Sequence, residues 1–330
     1  MKSRGARLLS EIICGGGKTQ PFDGENRFTL SEEIFIQMKS GYVAVIGRAK
    51  AGTSTLVNVL VGEKVAIVSP KPQTTRDRIL GVLTTESMQA AFVDTPGIYR
   101  ADNLLNSVMQ KTAEDSAKDV DLILYIIDAH EGIGERDKEI IKKFVNCGTP
   151  CVIVPTKIDI MPESLLISEL KDLSSFGAEV VPVSARKGRN IKELLKVVEK
   201  LLPDGEKLFE EDIISDRSEK FMLSEIMREK ILLKFGAEIP HGVAIVINKF
   251  ALREDGKVYE VNLDIICEKP GHKAILIGKQ GAAIKEVSSF ARADMEKFLG
   301  KKVFLTTYVK VKEDWRNSAY LIKQHGYGES

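Results

Sequence analysis

Between Tyr42 and about Leu202 the chain alternates short apolar runs with amphipathic stretches, and this alternation constrains the fold more than any other feature. The runs YVAVI, QAAFV, DLILYII, CVIVP and EVVPV begin at Tyr42, Gln89, Asp121, Cys151 and Glu179. Runs of this length and apolarity suit strands buried on both faces. Such strands belong to a mostly parallel sheet with helices on either side. Helical patterns such as Arg136 to Val145 and Asn190 to Lys200 supply the crossovers.

The second half has a different order. A helical stretch from Ser218 to Phe235 precedes two strand-like runs, GVAIVINKF and KVYEVNLDIIC, joined around Glu254 to Gly256. Then come KAILIGKQGAAIKEVSSFARADMEKFL and a last strand, KVFLTTYVKV. The order α-β-β-α-α-β predicts a smaller α+β domain. The acidic segment 203–216 opens with turn residues and marks the boundary. The expected organisation is an arm over 1–40, an α/β domain over 41–202, a linker over 203–216, a second domain over 217–316 and a tail over 317–330.

The length of 330 residues suits two such domains. No apolar run approaches the roughly 20 residues of a membrane span. Net charge is +1, which argues against capture of nucleic acid by the chain as a whole and directs attention to local patches. The cysteines, Cys14, Cys147, Cys151 and Cys267, form no C-x-x-C pair, and the four histidines are scattered. Reduced thiols and no protein-built zinc site are expected. The arm is basic at MKSRGAR and breaker-rich at GGGKTQPFDGENR, without a convincing signal sequence.

GRAKAGTST, from Gly47 to Thr55, lies where the first strand turns into a helix. Compared with G-x-x-x-x-G-K-[ST], Gly47, Gly52 and the Ser54 hydroxyl are in place, but Thr53 stands at the lysine position. Backbone N–H groups at a helix N-terminus still face a phosphate, and glycine permits close approach. Four further elements follow in the order a guanine-nucleotide switch requires. In QTTRDR, Thr75 is the expected magnesium ligand, with Thr74 close behind. In FVDTPG, Asp94 serves the magnesium shell and the Gly97 N–H the γ-phosphate. In TKID, the Asp159 carboxylate would accept from guanine N1–H and its exocyclic amine, while Lys157 covers the ring. In SARKG, from Ser184 to Gly188, the Ala185 N–H would donate to the guanine carbonyl. Each motif alone has a bland reading; their order favours nucleotide binding.

At this point the chain resembles the Era family of ribosome-associated GTPases, over about Gly41 to Trp315. The most specific parts are KPQTTRDRILGV, DTPGI, SEIMREKIL, IGKQGAAIK and VKVKEDWR. The resemblance implies a P-loop GTPase domain followed by a type II KH domain, with GTP or GDP and Mg2+ as ligands. It also implies 16S-type rRNA and the small ribosomal subunit as partners, a monomer in the cytoplasm, and peripheral membrane contact as a further expectation, for which no amphipathic stretch is identified. The nucleotide-binding set is Gly47, Lys50, Gly52, Thr53, Ser54, Thr55, Thr156, Lys157, Asp159, Ser184, Ala185 and Arg186. Ser54, Thr75 and Asp94 are the metal set, and Thr75 and Gly97 carry catalysis.

Three positions bear on that activity. Loss of the loop lysine at Thr53 removes charge-assisted hydrogen bonds of about 1.5–3 kcal/mol, roughly 10- to 150-fold in affinity. Lys50 is a candidate substitute. Thr156 replaces an asparagine usual in the guanine motif, so its tie to the phosphate loop is expected to be lost. Ile98 is apolar where Ras-like enzymes orient water, as is usual in the Era family. Slow or impaired hydrolysis follows as an expectation, with a nucleotide-independent RNA-binding factor as the alternative.

In the second domain, Gly278, Lys279, Gln280 and Gly281 form a G-x-x-G turn between two helical patterns, as in KH domains, where it lets a nucleic-acid backbone approach. Lys273 and Lys285 flank it. From Lys269 to the end there are twelve Lys/Arg against six Asp/Glu. Lys310, Lys312 and Arg316 are further candidate RNA contacts, and Ile275, Ile277 and Ile284 candidate groove walls. Trp315 is expected to pack in a half-buried position, with base stacking as the alternative.

Overall fold

The structure, a computed structural model, describes residues 38–97, 102–116, 118–236 and 238–328. Most of the expected arm, with Cys14, lies outside the described residues, as does Ile98.

The first domain begins with β1 (Met38–Gly47), α1 (Thr53–Val61) and a hairpin of β2 (Ile79–Thr84) and β3 (Met88–Asp94). There follow α2 (Leu104–Asp115), β4 (Leu122–Asp128), α3 (Glu135–Val145) and β5 (Cys151–Thr156). Then come α4 (Glu163–Ser174), β6 (Glu179–Val180), α5 (Ile191–Leu201) and β7 (Asp204–Gly205). Strand order is β2-β3-β1-β4-β5-β6, with β7 pairing antiparallel to the start of β1. Apart from β2 and β7 the strands are parallel, in registers such as Val45 opposite Asp94 and Val43 opposite Leu122.

The central strands are buried on both faces, which is why they are continuously apolar. Every residue of β4 is buried. One face packs Val43, Phe92 and Leu124 against Leu56 of α1 and Leu194 of α5; the other packs Ile46, Ile123 and Tyr125 against Ile141 of α3. The parallel strands end together at Gly47, Asp94, Asp128 and Thr156. The loops following them therefore gather at one edge of the sheet, where such folds bind ligands.

β2 had no sequence signal of its own because Gly81 interrupts its apolar run. A Cβ at Gly81 would lie 2.9 Å from Val61 and 3.0 Å from Val65, so the end of α1 packs where a side chain would stand. Segment 203–216 follows the same edge. Gln89 accepts from the N–H groups of Leu208 and Phe209 and donates to the Phe209 carbonyl, and Val82 N–H donates to the Ile214 carbonyl.

The second domain contains α6 (Glu219–Lys234), β8 (Ala244–Leu252), β9 (Val258–Cys267), α7 (Pro270–Ile277), α8 (Ala282–Leu299), β10 (Lys302–Val311) and α9 (Ala319–Gln324). Its sheet order is β10-β9-β8, with β9 antiparallel to β8 and parallel to β10. One sheet face and the helices share Leu223, Met227, Leu263, Ile265, Val287 and Met295. The other face is partly covered by Trp315, Ile322 and Tyr327, which also meet Leu105 and Met109 of α2.

The expected half-burial of Trp315 is an underestimate. The indole is fully buried and its Nε1–H donates to the Gly242 carbonyl at 2.9 Å. Base stacking by this side chain is excluded, because no face of the ring is left accessible.

Candidate functional site

A cleft of about 460 Å³ opens at the strand ends, lined by Arg48 to Lys50, Gly52 to Thr55, Ile67 to Lys71, Gln73 to Thr75, Gly97, Glu131, Lys157, Arg186 and Leu233. Gly52 immediately precedes α1 with φ of 99°, a left-handed conformation that glycine adopts at little cost. Gly97 lies against the loop: a Cβ there would come within 2.8 Å of the Ala49 backbone nitrogen. Gly47 is similarly confined, 2.7 Å from the Ile126 carbonyl. Lys50 is exposed and holds φ of 69°, uncommon for a residue with a side chain.

At the floor of the cleft three residues distant in sequence meet. Ser54 Oγ donates to Asp94 Oδ2 at 2.6 Å and stands 2.7 Å from Thr75 Oγ1, which lies 3.3 Å from the same carboxylate oxygen. Thr74 instead donates to the Lys71 carbonyl, so Thr75 is the threonine brought to the carboxylate. Burial pushes the Asp94 carboxyl up to about 6, opposed chiefly by the hydrogen bond from Ser54 and then by the nearby Thr53 and Thr75 hydroxyls. Its Oδ1 is buried with no protein partner. A buried, unpartnered carboxylate oxygen beside two hydroxyls fits Mg2+, a hard cation that keeps several waters and takes few protein oxygens. Among the described residues no cluster of three or more His, Cys, Asp or Glu offers a metal cage.

The other end of the cleft brings together TKID and SARKG. Asp159 Oδ1 accepts from Ser184 Oγ at 2.6 Å, and that bond is the main reason its carboxyl lies below its usual range. The Ser184 backbone exchanges hydrogen bonds with Arg189, closing the turn that carries Ala185 and Arg186. Lys157, at φ of 59°, donates to the Lys50 carbonyl at 2.9 Å and pairs with Asp128.

Thr156 departs from expectation. Its hydroxyl is within 2.6 Å of the Ala51 carbonyl and 3.0 Å of the Ile127 carbonyl, so the tie to the phosphate loop is present. The end of β5 lies directly beneath that loop: a Cβ on Gly52 would be 3.8 Å from Thr156 Oγ1. A short side chain is long enough there.

Sequence reasoning missed the residues joining this cleft to the second domain. Arg228 on α6 is fully buried, paired with Glu225, and donates to the carbonyls of Gln73 and Thr74. Arg76 donates to the Val243 carbonyl at 2.6 Å and the His241 carbonyl at 2.8 Å. The Lys71 ammonium donates to the Phe235 carbonyl. In sequence these look like ordinary surface charges; the one available signal was the concentration of Arg76 and Arg78 around Thr75.

The G-x-x-G turn lies between α7 and α8. Gly278 and Gly281 have φ of 73° and 77°, and a Cβ on Gly278 would collide with Ala283 at 2.7 Å. Lys279, Gln280 and Lys285 are exposed and Lys273 half-buried. Ile275 is 51% exposed beside the turn, whereas Ile284 packs on the core and Ile277 is half-buried. Lys312 is exposed and Lys310 pairs with Asp264. Arg316 is committed differently: it is half-buried against Glu268 at 2.6 Å, an ion pair that raises its pKa despite desolvation.

Two families match separate parts of the chain, a 50S ribosome-binding GTPase over residues 42–157 and a KH domain over 238–316. GTPase Era of Clostridium kluyveri is 44% identical over 292 residues, spanning 88% of this chain and 99% of that one. The chain belongs to the Era family of GTPases. Era of Clostridioides difficile is 43% identical over 294 residues, with 88% and 99% covered. Among solved structures, Era in complex with MgGDPNP and nucleotides 1506–1542 of 16S ribosomal RNA superposes with a TM-score of 0.85 at 39% identity, covering 88% of this chain and 99% of that one. An Aquifex aeolicus Era variant bound to GDP and aluminium fluoride gives 0.85 at 38% identity, with the same coverage. The Era fold, a P-loop GTPase domain with a mostly parallel sheet and a C-terminal KH domain, is thus the fold of this chain.

Proposed function

We propose that this chain binds guanine nucleotide with magnesium in the first domain and single-stranded small-subunit rRNA in the KH domain, and assists 30S subunit maturation with slow GTP hydrolysis. The observation that carries the nucleotide half is the meeting of Ser54, Thr75 and Asp94 beneath the loop, with Asp94 Oδ1 left free. Ser54 and Thr75 would hold magnesium directly and Asp94 its water shell. Bound magnesium neutralises charge on the β- and γ-phosphates. Asp159, ionised at neutral pH, favours guanine over adenine, whose donors and acceptors are reversed. Backbone N–H groups from Gly52 to Thr55 would orient the phosphates, and the Gly97 N–H would serve the γ-phosphate.

Thr53 leaves the loop without its usual ammonium. Lys50 is the substitute we favour: exposed on the same cleft, in the same loop, with its backbone tied by Lys157. Thr53 supports a second reading, in which the first domain is a scaffold and RNA binding is independent of nucleotide.

The RNA half rests on the Gly278 to Gly281 turn, flanked by Lys273 and Lys285, and on the rRNA-bound Era relative. A cytoplasmic monomer is the corresponding state, and peripheral membrane contact has no residue-level support. No described helix is long and apolar enough to cross a membrane.

Equilibrium binding of fluorescent GDP and a non-hydrolysable GTP analogue, with magnesium, to the unmodified chain, Thr53→Lys and Lys50→Ala tests this reading. We expect guanine-specific binding by the unmodified chain, weakening in Lys50→Ala and a gain of about 10- to 150-fold in Thr53→Lys. Absence of binding in the unmodified chain with recovery in Thr53→Lys would establish the scaffold reading instead.

A further inference from the structure

β10 is an edge strand, and its residues alternate between the helices and the opposite sheet face. Val303 belongs to the domain core with α6 and α8, while Leu305 and Val309 pack against that core. Phe304 and Tyr308 point the other way and are 55% and 57% exposed. Large aromatic side chains placed in water at alternate outward positions of one strand are not explained by packing.

The strand register locates their neighbours. Phe304 lies opposite Glu260 and Tyr308 opposite Asp264, with the pair Thr306 and Asn262 between them and Lys249 beyond. Four residues of extended chain separate the two rings by roughly 13 Å. Arg253 places its guanidinium 5.2 Å from the Phe304 ring centroid. On this face Lys249 and Arg253 pair with Glu260 and Lys310 with Asp264, while Lys302 pairs with Glu296 of α8. The two pairs to Glu260 are partly solvent-exposed, so they are weak and exchangeable for phosphate contacts, whereas Lys310 is held by a buried carboxylate. The remainder of the same sheet face is closed by Trp315, Ile322 and Tyr327.

We propose that the open half of this sheet face is a second single-stranded RNA surface, on which Phe304 and Tyr308 stack two bases of one strand while Thr306 and Asn262 meet the edge of a base between them. Exposed aromatics on a sheet, separated by polar side chains and bordered by cations, are the chemistry by which sheet-faced RNA-binding domains hold two or three bases. Lys249 and Arg253 share the single carboxylate of Glu260, and that positive surplus favours a polyanion over a neutral or basic protein surface. The position also favours RNA: the opposite side of β10 packs on α7 and α8, which flank the G-x-x-G turn. RNA leaving that turn around the free edge of β10 arrives at Tyr308 and Phe304. The proposal rests on the RNA-binding reading of the KH domain and extends its footprint to a second face.

The test is fluorescence anisotropy of the full chain with unstructured RNA of about four nucleotides, the span of a KH groove, and of about eight. The expected result is roughly tenfold tighter binding of the longer RNA by the unmodified chain, the size of a stacking contribution. The double variant Phe304→Leu with Tyr308→Leu should bind the short RNA normally, which reports an intact groove, and lose the advantage of the longer one. If the double variant keeps that advantage, the sheet face is not an RNA surface and the groove reading stands. If the unmodified chain binds neither RNA and Gly281→Asp changes nothing, the groove reading itself fails and the extension falls with it.

Discussion

The Arg228 guanidinium donates to the Thr74 carbonyl, one residue before the threonine that meets Ser54 and Asp94. A helix packed on the second domain's core thereby holds the backbone of the segment that would coordinate magnesium. Removing Arg228 also strands Glu225, whose side chain is only 8% exposed. We expect Arg228→Met to destabilise the protein by about 3–5 kcal/mol, the usual cost of leaving a buried charge unpaired. Adding Glu225→Leu should recover much of that loss in urea unfolding. Amide exchange over residues 73–78 should rise in both variants, because both release the carbonyls of Gln73 and Thr74.

Asp159 is directed by the Ser184 hydroxyl and is half-buried. In Asp159→Asn the acceptor for guanine N1–H and the exocyclic amine becomes an amide. GDP affinity should fall about 10- to 150-fold. Xanthosine diphosphate, which carries a carbonyl where guanine has the amine, should gain. Competition titrations with the two nucleotides measure the exchange, and equal losses for both would overturn the assignment.

Thr156→Val keeps the shape of the side chain and removes the hydroxyl between the Ala51 and Ile127 carbonyls. A loss of about 1 kcal/mol in unfolding free energy is expected. Nucleotide should also bind more weakly, through a looser loop rather than a lost direct contact. Thermal melts with and without GDP separate the two effects.

His325 packs edge-on to Trp315 at 5.4 Å and neither ring nitrogen has a partner. Burial, with Lys312 nearby, lowers its pKa below the ordinary 6.5. His241 is lowered likewise by burial and then by Arg76. Because the unfolded chain takes up these protons at higher pH than the folded one, the stabilisation is complete above about pH 6.5 and is lost as pH falls toward the folded values. Melting temperature should therefore drop on acidification from neutral pH toward about 5.5, and less in His325→Leu. An unchanged slope in that variant would falsify the contribution of His325.

The parallel core was legible in sequence because its strands are buried on both faces, so YVAVI and DLILYII need no partner to be recognised. The motifs of the cleft were legible because most follow an apolar strand whose end the parallel sheet brings to the same edge. β2 was not, because Gly81 answers to a packing demand from α1 rather than to strand propensity. Arg76 and Arg228 were not, because a buried arginine looks in sequence like any solvated one until the carbonyls it serves are in place. Thr156 was misjudged for the same reason: the length of a side chain says little about its reach until the separation it must span is known.

Thr156 and Lys157, adjacent in the base-recognition motif, each make a bond to a carbonyl of the phosphate loop, at Ala51 and Lys50. The TKID turn and the loop before α1 are thereby mechanically one clasp. A wrong base that disturbs the TKID turn also slackens the loop beneath it, so discrimination between guanine and adenine should be sharper among diphosphates than among bare nucleosides.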